Sequence, residues 1–133
     1  MTKQRMRRGE SPPGADAVVL RGGALDARAL REDAITNNQL YGFYGISCWI
    51  PSPDSPQETL LATKLLKSTV VLRFAAADLI SMQLELWDTG QAPHYDVVYA
   101  GADNPDTLVE ALISVSAESM INPYYDPDGG FDR

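Results

Sequence analysis

Arg21 stands directly before Gly22 and Gly23, where a short apolar run gives way to a helix start. A guanidinium offers a two-pronged charged fork, glycines let backbone come close to a ligand, and a helix start presents free N–H groups. Together these would suit a phosphate or pyrophosphate, with Arg21, Gly22 and Gly23 as the cradle. The plainer alternative is a tight turn with Arg21 paired to a carboxylate.

Three further sets of residues have chemistry to offer. In the aromatic stretch from Tyr41 to Trp49, strand alternation puts Phe43, Gly45 and Ser47 on one side and Tyr44, Ile46 and Cys48 on the other. The small Gly45 and Ser47 would leave that side open to a ligand, and Tyr44 could stack on a base; ordinary core packing is the competing reading. Gln83 and Glu85, two apart beside Trp87, would project from one strand face, where a carboxylate can serve as a base or stabilise a cationic transition state. The same spacing also describes the wet face of an edge strand. His94 is the only histidine and could act as a nuclease acid or base with Tyr95 or Arg73, or simply sit in a solvated loop.

Two other features are excluded from chemistry. Cys48, alone among apolar neighbours, reads as a buried inert thiol; it has no disulfide partner, and one Cys with one His does not make a zinc set. The alternating aspartates from Asp126 to Asp132 lack the terminal glutamate of a calcium loop. No metal site is expected.

The elements that must position these residues follow from periodicity and caps. Strands are expected at 17–21, 42–50, 69–74, 82–87 and 95–100, from β-branched, aromatic or alternating runs. Asp26 caps a helix expected to end at Asn37-Asn38. Ser55-Pro56-Gln57-Glu58 announces a second helix carrying Leu60, Leu61, Leu65 and Leu66, and 76–80 reads as a helical turn. Asn104-Pro105 opens the last helix, whose Leu108, Val109, Leu112, Ile113 and Val115 make a broad apolar face. The expected fold class is α+β, one mixed sheet of about five strands with three or four packed helices. No dinucleotide fingerprint or phosphate-loop motif is present.

The 133 residues are the size of one domain, with 44% hydrophobic residues to build one core. Residues 1–15 read as a flexible basic arm, 16–121 as a single globular domain, and 122–133 as a Pro/Gly/Asp-rich tail. Lys3, Arg5, Arg7 and Arg8 precede the first acid, whereas the other seven basic residues face 18 acidic ones. An acidic body of this kind repels phosphate backbones, so nucleic acid is not an expected partner, and a protein partner is. No apolar run approaches bilayer length, so no membrane association is expected. The lone cysteine suits a reducing, cytoplasmic setting; a homodimer stays open.

Taken in order, Val18-Val19-Leu20-Arg21-Gly22, then Tyr44-Gly45-Ile46-Ser47, then Gln83-Leu84-Glu85 resemble the three sequence motifs of ADP-ribosyltransferases, including short bacterial RES-type NAD-consuming toxins. That resemblance implies NAD as co-substrate. It would have Arg21 hold the phosphate or ribose, Ser47 support the nicotinamide pocket, and Glu85 stabilise the oxocarbenium-like state. The Ser-Thr-Ser of the family is here a single Ser47. Three functions are therefore expected in competition: a toxin-like ADP-ribosyltransferase or NAD glycohydrolase of a bacterial toxin–antitoxin pair; a non-catalytic partner-binding protein such as an immunity protein, antitoxin or phage-type inhibitor, with Pro123-Tyr124-Tyr125 as an anchor; and a small ribonuclease toxin built on His94. The enzyme requires Arg21 and Glu85 to meet across one open hollow.

Overall fold

A computed structural model describes residues 16–23, 25–60, 63–91, 94–99 and 103–128. Among the described residues six strands form one sheet: β1 (Val18–Gly22), β2 (Ile46–Trp49), β3 (Val70–Ala75), β4 (Leu84–Gln91), β5 (His94–Tyr99) and β6 (Glu118–Ile121). Their spatial order is β4-β5-β2-β1-β3-β6. The helices are α1 (Ala27–Tyr41), α2 (Pro56–Thr59), α3 (Ala76–Ser81) and α4 (Pro105–Ile113), with a 3₁₀ turn at Lys64–Lys67. The class is α+β, as expected. The sheet is not mixed, however: all five pairings are antiparallel. The sixth strand follows α4 and lies at the edge beyond β3, where its exposed residues carry little apolar alternation.

Strand alternation divides the side chains between two cores. One face presents Val19, Leu72, Phe74, Ile46, Cys48, Val97, Leu84 and Leu86 to Leu30 and Ala34 of α1, Leu79 of α3, and Leu108 and Leu112 of α4. The other face gathers Leu20, Trp49 and Val71 beneath Leu60, Leu65 and Leu66, with Met120 and Tyr124 at its margin. Burial of these apolar surfaces is the main stabilising term, at roughly 25 cal/mol per Å².

Local chemistry explains where the elements depart from the sequence reading. α1 does not stop at Asn37-Asn38; it runs to Tyr41 and ends on Gly42, whose φ of 85° takes the left-handed cap that glycine adopts without strain. Asn37 stays helical because its side chain has a buried acceptor, Gly45 O at 2.6 Å. The second helix breaks into α2 and the 3₁₀ turn. On a straight α-helix Leu60 and Leu65 would point about 140° apart; the broken path lets both reach one core. β4 continues through Asp88 to Gln91, past the expected end at residue 87, with an irregular register between Asp88 and Gln91.

The described part of the C-terminal segment is tied to the domain by hydrogen bonds. Asn122 is buried and donates to Leu65 O and Ser68 O, both at 2.8 Å, while its Oδ1 accepts from Tyr124 N. Lys67 Nζ reaches Pro127 O at 3.0 Å. The basic arm at 1–15 lies outside the described residues. Among the described residues no helix is long and apolar enough to cross a membrane.

Candidate functional site

Arg21 and Ser47 do come together, but around the protein's own backbone. β1 and β2 meet in register only at Leu20 and Trp49. Beyond that pair Ser47 has its peptide groups answered by side chains. Asp33 Oδ2 accepts from Ser47 N at 2.8 Å, and Arg21 Nη1 donates to Ser47 O at 2.8 Å. Arg21 and Asp33 close the arrangement with an ion pair at 3.0 Å, their side chains only 15% and 23% exposed. One acid and one base thus imitate the N–H and C=O of a missing strand neighbour, which meets the demand that buried backbone groups be paired. Asn37 Nδ2 extends the network to Gly45 O and lies 3.4 Å from Asp96 Oδ1.

This placement decides the fate of the expected cradle. Arg21 is turned to the second turn of α1, where Asp33 sits, and not to the helix start. Gly23 N donates to Val70 O, and its φ of 91° explains the glycine. Gly22 packs closely: a side-chain carbon there would force the Ser68 side chain to shift. The helix start itself is capped by Asp26, which accepts from Arg28 N at 3.0 Å.

The space beside Gly45 is occupied. A Cβ on Gly45 would stand 2.7 Å from the Phe43 ring and 3.2 Å from Asp96 Cβ. Tyr44 packs, partly buried, against the larger core. Cys48 is buried, as expected of an inert thiol. Its pKa is pushed well above the ordinary range by burial first and by the Asp96 charge second, with Arg21 opposing and Asp33 adding to the rise. Tyr95 is likewise raised, by burial and then by Asp88 and Cys48.

Glu85 lies elsewhere. Its register partner is Val98, and its strand neighbours Leu84 and Leu86 belong to the larger core, so Glu85 projects from the opposite face to Arg21. Two strands, β5 and β2, also intervene, a separation of roughly 14 Å across the sheet. Gln83 does not share the strand with it: β4 begins at Leu84, and Gln83 occupies the preceding turn at φ 65°. α3 must reverse direction there, with Gln83 N donating to Ile80 O. The residues expected to hold NAD therefore do not converge on one site: Arg21 is committed to the Ser47 peptide, and Glu85 lies across the sheet from it. His94 lies on β5, not in a loop, with its ring 5.6 Å from Trp49 in an edge-on arrangement.

Glu85 instead belongs to an aromatic surface. Trp87 Nε1 donates to Glu85 Oε1 at 2.9 Å. The Trp87 ring lies 5.3 Å from Phe43, and Phe43 lies 6.3 Å from Tyr41 at the end of α1. All three rings and the carboxylate are half-buried. The stripe therefore runs from the C-terminus of α1 over the connection to β2 and onto the edge strand β4.

Sequence reasoning missed Asp33, Asn37 and Asp96. The first two carried a signal, because Leu30, Asp33, Ala34 and Asn37 recur at three- and four-residue spacing on one stripe of α1. Polar residues on a stripe that must face the core imply a buried network. No protein-family profile matches the chain, and comparisons with curated proteins and with solved structures likewise find no match.

Proposed function

We propose that this chain is a non-catalytic partner-binding protein, of the kind represented by immunity proteins, antitoxins and phage-type inhibitors. The observation that carries this reading is the commitment of Arg21 and Asp33 to the Ser47 peptide, with Glu85 projecting from the far face. The polar groups best equipped for catalysis are used by the fold. What remains partly open to solvent is an aromatic stripe, and half-exposed Trp and Tyr are the residue types that anchor protein interfaces. The acidic body adds a preference for basic partners by long-range attraction.

The enzymatic alternative makes a contrary demand that is easily measured. Purified chain incubated with NAD is expected to leave it intact, and Arg21→Lys and Glu85→Gln are expected to behave like the unmodified chain. NAD loss that disappears in Glu85→Gln would reverse the proposal in favour of the toxin-like enzyme.

A further inference from the structure

We propose that β6 pairs antiparallel with the β6 of a second copy of this chain, joining two sheets into one about a twofold axis. β6 ends the sheet, with β3 as its strand neighbour among the described residues. Asn122 N donates to Thr69 O at 2.9 Å, in the same register that sets Met120 against Val71. Residues 118, 120 and 122 therefore turn their peptide groups to β3, and the alternation of an antiparallel ladder points those of Ser119 and Ile121 outward. The bond from Gly23 N to Val70 O gives the same phase from the other side of β3. Ile121 is 82% exposed, more than any other large apolar side chain described. Natural edge strands are blunted by charge, proline or a bulge. β4 has Glu85, Asp88 and an irregular register, whereas β6 has a charge only at its first residue, Glu118.

The occupant is a second copy because β6 complements itself. With Ser119 opposite Ile121 of the second copy, and the reverse, outward N–H groups meet outward C=O groups on both sides of an axis at Met120. Ser119 is small, so the two Ile121 side chains reach each other diagonally over it. The next outward position is Pro123, which has no N–H, so the ladder stops at both ends together. Charge agrees with this register. Glu118 is set opposite Asn122 of the second copy, on the face where Asn122 Nδ2 holds Leu65 O and Ser68 O at the Lys64–Lys67 turn. The exposed Lys64 and Lys67 offset Asp126 and Asp128 at that end. The two Glu118 positions stay about 14 Å apart along the strands, beyond the ~8 Å screening length at physiological salt. Joining through β6 leaves both β4 rims outermost, so the dimer presents the aromatic stripe twice.

The test is sedimentation equilibrium of the full-length chain up to millimolar concentration, because a strand-edge contact is small beside the roughly 1,200–2,000 Å² of stable interfaces. A monomer–dimer equilibrium is expected, weakened at least about tenfold in Ile121→Lys, whose site is exposed. Register is read by oxidising introduced cysteines, since the native Cys48 is buried. The two Met120 positions would face each other at a Cα separation of about 4.5 Å, within disulfide reach, whereas the two Ile121 positions would lie about 8 Å apart, beyond it. Met120→Cys is therefore expected to give a linked dimer and Ile121→Cys to stay largely unlinked. A mixture of Ser119→Cys and Ile121→Cys chains, both at exposed positions, should form the mixed disulfide, which keeps the register testable if Met120→Cys disturbs the smaller core. A chain monomeric at every concentration, a dimer indifferent to Ile121→Lys, or Ile121→Cys linking to itself as readily as Met120→Cys would each overturn the proposal. A chain that dimerises only after residues 1–15 or 129–133 are removed would show one of its own ends on the edge, and overturn it too. Each of these results leaves partner binding standing, which fails separately if the chain consumes NAD.

Discussion

The junction of β1 and β2 and the outer edge of β4 use similar groups to opposite ends. At the junction, Arg21 and Asp33 are charged and reactive by type, yet both are spent on the peptide of Ser47. At the edge, Tyr41, Phe43 and Trp87 are apolar by type and belong in a core, yet they stay half exposed beside Glu85. The difference teaches that a side chain is available for function only after the backbone around it has been satisfied. Where a ladder ends early, the nearest polar side chains are claimed first.

Four measurements can break or sharpen this contrast. Asp33→Ala should have the largest effect, because it strands a mostly buried guanidinium and the Ser47 N–H together. A loss of about 3 kcal/mol is expected in urea unfolding; a loss below about 1 kcal/mol would mean the ion pair is not what holds the junction. Gly45→Ala should come next, at about 2 kcal/mol, because its new methyl must push the Phe43 ring aside. The same variant should shift Trp87 emission, since Phe43 touches both regions. An unchanged spectrum would uncouple them.

Alkaline pH probes the interior more gently. The thiol of Cys48 is held protonated, so its contribution to stability is whole below the ordinary value of 9.0 and fades as pH rises toward the higher folded value. Resistance to thermal unfolding should therefore fall above about pH 9, and Cys48→Ala should flatten that decline. Tyr95 acts in the same direction, starting from its ordinary value of 10.0. The smallest effect belongs to Glu85→Gln, expected within about 0.5 kcal/mol of the unmodified chain by denaturation. A large destabilisation there would give Glu85 a structural duty and remove the contrast.

Much of the scaffold was legible in the residues. β-branched and alternating runs announced five of the strands, and Asp26 and Asn104 cap their helices as their types suggest. β6 was not legible because its backbone pairing with β3 sets its place, while its mostly exposed side chains carry no strand pattern. The candidate site was harder to read for a related reason. Arg21, Ser47 and Glu85 are the residue types a transferase would use, but their meaning depends on which face of the sheet each occupies. That is set by register: Gln83 falls in a turn, Leu84 opens the strand, and Glu85 is carried to the far side. The polar stripe of α1 was visible, but its target, the free peptide of Ser47, arises only when β1 and β2 part.

The strand order also bears on how the chain emerges during synthesis. The first described strand, β1, ends near the middle of the sheet, and its neighbours β2 and β3 follow it directly in sequence. β5 and β6 then add outside them, and β4 has β5 as its strand partner among the described residues. A nascent chain can therefore assemble outward from its earliest segment, each new ribbon finding a waiting template. The rim carrying Glu85 and Trp87 joins the sheet only through β5, so it can be completed only once β5 has found β2.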